Sequence, residues 1–368
     1  MSLPATPLTE RLGCRHPIIQ TAMGWVSDAK LVAATTRGGG FGFLAGATIP
    51  PEALEAEILK VIELTGSRCF GLNFHMFQSN AAECVELAIR HRLRAVSYGR
   101  GPDAATVARL KAAGVLCIPT VGAVKHAIKA EAMGADMITI QGSEGGGHTG
   151  SVPSSILLPQ VLDSVTVPVI AAGGFSTGRG LAAALAAGAA GIAMGTRFLM
   201  TTDSPTPAST LERYLAVRDP ARVKVSLAVD GMRHRMIDNA FIRRLEGAGP
   251  LRRLLIALRS ARRWQRDTGM SHRQALGILW RALREDPATL AQTVMAANQP
   301  VLLQHSMVAG QAEAGILPSG QVAAAIDRLL GADELIATIV DDAERCLERL
   351  CQGRDHGAVA APATTEVK

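Results

Sequence analysis

The chain has 368 residues, of which 48% are hydrophobic, 19% charged and 4% aromatic, and a formal net charge of +6. That length exceeds one average domain and suits a barrel of about 250 residues that carries an insertion. The balance excludes an intrinsically disordered or fibrous chain, and the Ala- and Gly-rich uncharged run at 180–196, 17 residues, is too short and too weakly apolar to cross a membrane.

Strand and helix patterns alternate in short steps from the start. Residues 17–23 (PIIQTAM) read as a first strand and 28–37 as a helix with an acid near its start. Strands follow at 41–47, 69–74, 95–99, 115–121 and 136–141, with helices at 52–64, 81–91, 104–113 and 124–133 between them. After the glycine-rich loop 141–150 comes a helix at 156–165, then a strand at 167–172, a helix at 179–187 and an eighth strand at 191–194. Eight strand signals alternating with helices predict α/β architecture with a parallel sheet. The count predicts closure into a (β/α)8 TIM barrel.

Beyond Leu199 the pattern changes. Residues 223–237 (VKVSLAVDGMRHRMI) start like a strand and carry an Asp-Gly turn signal at Asp230-Gly231. Residues 241–284, 288–298 and 321–330 read as mostly helical. The predicted organisation is a barrel built from 7–202 and 321–350, a mostly helical, arginine-rich extension over the barrel mouth at 203–320, and a flexible tail at 352–368.

Two glycine pairs stand out. Ala172-Gly173-Gly174 ends one buried strand and Gly195-Thr196 ends the next. Adjacent strand ends of this kind are where (β/α)8 barrels hold phosphate, because glycine lets backbone N–H groups approach an anion closely. About 25 residues upstream, QGSEGGGHTG places one imidazole, His148, among glycines. Imidazole takes and returns a proton near neutral pH, so His148 is the candidate general base, with Glu144 as its orienting partner or as a second base. A structural histidine and a loop-capping glutamate are the plain alternatives.

These residues resemble the nitronate monooxygenase family, formerly 2-nitropropane dioxygenase. The resemblance is carried by HPIIQTAMGWV (16–26), FGLNF (70–74), QGSEGGGHTG (141–150) and AAGGFSTGRGLAAAL with AMGTRF (171–198). It resumes at GILPSGQVAAAI (315–326). Members are FMN-dependent (β/α)8 flavoproteins, and flavin enoyl reductases share the pattern. The resemblance implies FMN held by Gly146, Gly147, Ala172, Gly173, Gly174, Gly195 and Thr196. It implies ring contacts from Thr21, Ala22, Met23, Gly24, Asn73 and Gln141, and a returning turn at Ser319 and Gln321. Gln141 with its glycine triplet, VDGMRHRMI and the arginine-rich segment resemble more closely a subgroup of steroid-ring degradation, which oxidises a hydroxyl on a bicyclic acyl-CoA. Some nitronate-oxidising members carry Lys and Asp where this chain has Thr120 and Gln141, which counts against a nitronate substrate.

The expected function is therefore an FMN-dependent oxidoreductase, with a hydroxyacyl-CoA, an alkyl nitronate, or an enoyl or quinone acceptor as alternative substrates. Flavin-free barrels of the inosine monophosphate dehydrogenase type need a cysteine near the sixth strand, and none lies between Cys117 and Cys346. Six scattered cysteines without CxxC spacing, and no signal peptide, predict a reduced cytoplasmic protein without a metal site. Residues 243–284 hold 11 arginines against two acids. They read as a solvated face or as a phosphate-binding surface suited to CoA. With only Trp264 and Trp280 as aromatics and no binding motif, neither nucleic acid nor membrane is the expected partner. An anion-binding scaffold without activity is the non-enzymatic alternative. A homodimer is compatible with helices on the outside of a barrel.

Overall fold

In the computed structural model the structure describes residues 2–352 apart from 77, 79, 100, 250–255, 260–261 and 263–297. Most of the arginine-rich segment, with Trp264 and Trp280, lies outside the described residues, as do the tail beyond 352 and the expected helix 288–298 except its last residue.

The apolar runs of the sequence become parallel strands buried on both faces, as a parallel sheet requires. These are β1 (Ile18–Gln20), β2 (Phe41–Leu44), β3 (Gly71–Asn73), β4 (Ala95–Tyr98), β5 (Leu116–Val121), β6 (Ile138–Gln141), β8 (Val169–Ala172) and β9 (Gly191–Met194). They close in the order β1-β2-β3-β4-β5-β6-β8-β9, and β9 returns to β1 with Ile18 opposite Ile192. A two-residue strand, β7 (Gly147–His148), lies in the loop between β6 and β8. Ile19, Phe41, Phe43, Ala95, Ile118, Ile170 and Ala193 pack together in one cluster with Leu8 and Leu12. The last two come from α1 (Pro7–Leu12), a short helix with a Thr6–Thr9 capping box. Leu8 sits against Gly191, at the start of β9, so α1 plugs the N-terminal end of the barrel.

The outer ring holds α2 (Ala29–Arg37), α3 (Pro51–Thr65), α4 (Ala81–Arg90), α5 (Ala104–Ala112), α6 (Val124–Ala132), α7 (Ser154–Leu162) and α8 (Gly178–Ala186). Each follows its strand within one to three residues of the sequence reading. The helix that completes the ring lies in 321–350, which the sequence reading gave to the barrel without marking a helix at 332–351. After β9 the chain leaves the barrel for more than a hundred residues and returns as α13 (Ala332–Cys351). This helix packs on α8 and α2, burying Leu335, Ile336, Ile339, Val340 and Ala343. The approach to α8 is close enough that a Cβ on Gly178 would collide with the backbone of Ile339 and Ala343.

The excursion contains α9 (Thr196–Leu199), α10 (Ala208–Leu215), the antiparallel pair β10 (Val223–Ser226) and β11 (His234–Ile237), α11 (Ala240–Glu246) and α12 (Asn298–Leu303), with a π-helical turn at Gln304–Val308 after it. The expected Asp-Gly connection does join β10 to β11. The expected helix at 321–330 does not form beyond one 3-10 turn at Gln321–Ala325. The entry to that turn is pinned by Gly320 N–H to Thr196 Oγ1 at 2.9 Å and Gln321 N–H to Glu144 O at 3.0 Å. Beyond it the chain is extended at Ile326 and bridges Thr201 at Leu330, so tertiary pairing overrides helix propensity there. β11 also pairs with β7, His234 opposite His148 and Arg235 opposite Gly147. The excursion is thereby zipped onto the loop that carries the candidate base.

Candidate functional site

The C-terminal ends of the strands open into a cavity of about 920 Å³, toward the upper end of the ~300–1,000 Å³ range of small-molecule sites. Barrel enzymes place their chemistry at this face because the βα loops vary without disturbing the strands.

One wall is the turn after β1, where Thr21, Ala22, Met23 and Gly24 line the cavity. The next residue, Trp25, sits at φ 61°, a left-handed conformation that is costly for a bulky side chain. Its N–H donates to Thr48 Oγ1 at 3.2 Å and the N–H of Met23 to Ser27 Oγ at 2.8 Å, which hold the turn. Across the cavity, Asn73 at the end of β3 donates from Nδ2 to both O and Oγ of Ser97 at 3.0 Å. That leaves its Oδ1 as the group free to meet a ligand. Gln141, ending β6, turns its Nε2 onto the carbonyls of Gly146 (3.3 Å) and His148 (3.0 Å). It shapes the loop around His148.

The two glycine turns expected to hold phosphate lie where β8 and β9 end. Ala172, Gly173, Gly174, Gly195 and Thr196 all line the cavity. Gly173 and Gly174 have φ of 102° and 80°, a backbone that L side chains avoid. Neither Gly174 nor Thr196 has a protein acceptor for its backbone N–H among the described residues. The Thr196 hydroxyl accepts from Gly320 N–H at 2.9 Å, and its own hydrogen stays available to an anion. Gly146 and Gly147 complete this side.

Three expected site residues stand elsewhere. Glu144 accepts from Ser154, N–H at 3.0 Å and Oγ–H at 2.7 Å, and so caps the start of α7 and does not line the cavity. Ser319 is fully buried, its hydroxyl turned to Gly320 O. Gln321 also lies outside the lining, where its neighbours Gly320 and Val322 take part. In this turn the close approach is made by glycine, since side chains there would meet the loop of Glu144 and Gly146.

The partner of His148 is Asp230, not Glu144. His148 Nε2 lies 2.6 Å from Asp230 Oδ2. Asp230 Oδ1 accepts from Met232 N–H at 3.0 Å, so both carboxylate oxygens are engaged. Burial works to raise the Asp230 pKa, but the hydrogen bond and charge of His148 and the Met232 N–H outweigh it and hold the carboxyl below the usual range. His234 stacks beside His148 with centroids 4.8 Å apart. It is fully buried, and neither ring nitrogen has a hydrogen-bond partner among the described residues. Burial and the neighbouring His148 push its pKa down to about 3, against a smaller pull from Asp230. The ligating atoms of the three side chains lie within 4.8 Å of one another. A cation bound at ~2.0–2.2 Å from each donor needs those donors further apart than 2.6 Å, so His148 and Asp230 form a hydrogen-bonded pair.

Asp230 and His234 were missed by sequence reasoning, as were His75, His126 and Arg233 on the cavity rim. One local signal existed. RHRMI follows the Asp-Gly turn, and strand alternation puts His234 on the face of Met236 opposite Arg233 and Arg235, where a histidine is unusual among core residues.

The model of the nitronate monooxygenase family matches residues 5–342. Two relatives carry the description (3aS,4S,5R,7aS)-5-hydroxy-7a-methyl-1-oxo-octahydro-1H-indene-4-carboxyl-CoA dehydrogenase. The one from Mycobacterium tuberculosis is 48% identical over 343 residues, 92% of this chain and 96% of that protein. The one from Rhodococcus jostii is 45% identical over 350 residues, 95% and 99% of the two chains. Among solved structures, FabK from Thermotoga maritima aligns with a TM-score of 0.79 at 27% identity, covering 96% of this chain and all of that one. A nitroalkane oxidase from Streptomyces ansochromogenes aligns at 0.73 and 27% identity, covering 93% and 99%. No described helix is long and apolar enough to cross a membrane.

Proposed function

Because the chain belongs to the nitronate monooxygenase family of oxidoreductases, we propose that it is an FMN-dependent dehydrogenase that oxidises a ring hydroxyl on a bicyclic acyl-CoA, with His148 as the base. The observation that carries this reading is a carboxylate-paired imidazole facing a glycine-built cavity. Removing a hydroxyl proton needs such a base, whereas an alkyl nitronate arrives already deprotonated. The names of the two dehydrogenase relatives support the same substrate class.

The residues present fit FMN. Left-handed Gly173 and Gly174 and the unengaged N–H groups of Gly174 and Thr196 suit its phosphate. Asn73 Oδ1 and the backbone of Thr21 to Gly24 suit the edge of its ring. Bound there, FMN supplies the two-electron acceptor for the carbinol hydrogen. Arg233 on the rim suits an anionic or carbonyl-bearing substrate. Gln141 and the β7–β11 pairing fix the backbone of His148 against the cavity, so the imidazole meets the substrate hydroxyl without a search over loop conformations.

The test is anaerobic mixing of the purified, FMN-loaded protein with the hydroxy-oxo-octahydroindene carboxyl-CoA ester and, separately, with an alkyl nitronate, following the visible flavin absorption. Bleaching by the CoA ester, with turnover lowered ~10²–10⁴-fold in His148→Ala while flavin is retained, is the expected result. A protein that binds no flavin, or is bleached by the nitronate alone, overturns the reading.

A further inference from the structure

The barrel's own loop gives His148 no orienting group. Glu144, four residues away, is engaged by Ser154, and Gln141 holds the backbone of the loop but not the ring. The group that reaches the imidazole comes from the excursion between β9 and α13, 82 residues further along the chain. Asp230 is held there on every side. Gly231 takes φ 80°, and its N–H donates to Leu227 O at 3.0 Å. Asn298 of α12 donates to the Val229 carbonyl at 3.0 Å. The Asp230 side chain is 1% exposed, against 39% for His148.

An ionised carboxylate only accepts hydrogen bonds. At 2.6 Å from Asp230 Oδ2, His148 Nε2 must therefore carry the hydrogen. In a neutral imidazole the lone pair then sits on Nδ1, which no described protein group engages. We infer that Asp230 is the positioning residue of the reaction, fixing His148 as the Nε2–H tautomer so that Nδ1 is the basic nitrogen. The inference rests on the reading of His148 as base. The substrate O–H proton would pass to Nδ1 as the carbinol becomes a carbonyl, and FMN, held by the turns at Gly173-Gly174 and Gly195-Thr196, would supply the acceptor for the carbinol C–H hydrogen and its electron pair. Asp230 stays ionised and faces the imidazolium so formed. The charged and titratable groups around the ring are Asp230 from the β10–β11 connection and His234 from β11. Arg233, His75 and His126 stand on the cavity rim.

This makes the excursion a determinant of reaction type. A substrate that must lose a hydroxyl proton depends on Asp230, and a preformed nitronate does not.

The experiment is ¹⁵N NMR of the histidine rings in the FMN-loaded full-length protein, with His148 assigned by its loss in His148→Gln. The expected wild-type pattern is protonated Nε2 and unprotonated Nδ1. In Asp230→Asn the amide NH2 can donate to Nε2, which favours the opposite tautomer. That variant should lose at least ~10-fold in kcat with the CoA ester, a share of the ~10²–10⁴-fold a general base supplies, while KM and flavin content change little. A wild-type His148 protonated on Nδ1 overturns the inference, as does an Asp230→Asn variant with unchanged kcat. If His148→Ala also retains turnover, the functional reading itself fails. If Asp230→Asn does not fold, the wild-type spectrum alone decides.

Discussion

His234 shows what a single enclosed side chain does to the whole stability curve. Its imidazole is buried with neither nitrogen partnered, and its pKa is depressed to about 3, while the unfolded chain titrates near 6.5. Between those values the unfolded chain binds a proton that the folded chain cannot, so stability is greatest above 6.5 and falls as pH drops toward 3. From pH 7.5 to 5.5, above the range where most carboxylates titrate, the loss amounts to about 1 kcal/mol. In His234→Phe this contribution disappears. The melting temperature of the variant should fall by about 2 °C less than that of the wild type over the same interval, as read by differential scanning calorimetry. Equal slopes in the two proteins would show that His234 is charged or solvated in the folded state. At this scale the glycine turns that end β8 and β9 were legible in the sequence, because Gly173 and Gly174 stand at a strand end and left-handed backbone is a local demand. The His148–Asp230 pair was not. It exists only because β11 pairs with β7, and no pattern within either segment encodes that register.

Among the elements, β9 was read to the residue, since glycines mark both its ends. The Asp-Gly connection between β10 and β11 was equally plain. The helix at 321–330 stops after one 3-10 turn because the chain turns extended at Ile326 and bridges Thr201 at Leu330, a partner more than a hundred residues away that no window contains. The α8–α13 crossing gives the element-scale prediction. Gly178→Ala adds a Cβ against the backbone of Ile339 and Ala343, and backbone cannot rotate aside as a side chain can. The helices must separate, at a cost of about 1–3 kcal/mol. Gly180, two residues along the same helix, meets only the side chains of Phe175 and Thr177. Gly180→Ala should therefore be neutral or gain up to ~1 kcal/mol in helix propensity. Chemical denaturation of the two variants side by side checks the pair, and a Gly178→Ala midpoint at or above that of Gly180→Ala would refute the close crossing.

At the scale of the molecule, the ring of helices is closed by a segment that the chain delivers last. A strand-by-strand reading finds eight strands by Met194 and gives 321–350 to the barrel, but no local signal says what that segment covers. In fact the faces of α8 and α2 stay uncovered until α13 arrives. That helix buries Leu335, Ile336, Ile339 and Val340. At ~1.5–3 kcal/mol for each fully buried aliphatic side chain, its docking is comparable with the ~5–15 kcal/mol net stability of a whole protein. A chain ending at Gly331 should therefore not be a barrel with a frayed edge. Losing α13 exposes the apolar faces of the first and seventh β/α units, which also carry Thr21 to Gly24 and Gly173 to Gly174 on the cavity side. The truncated protein is expected to lack a cooperative thermal transition and to bind no FMN. A peptide of residues 332–352 added in excess should restore both, because α13 contributes no residue to the cavity and acts through packing alone. A truncated protein that melts cooperatively near the full-length temperature would mean that the seven remaining helices suffice. The excursion would then be an appendage on a finished barrel rather than part of its last β/α unit.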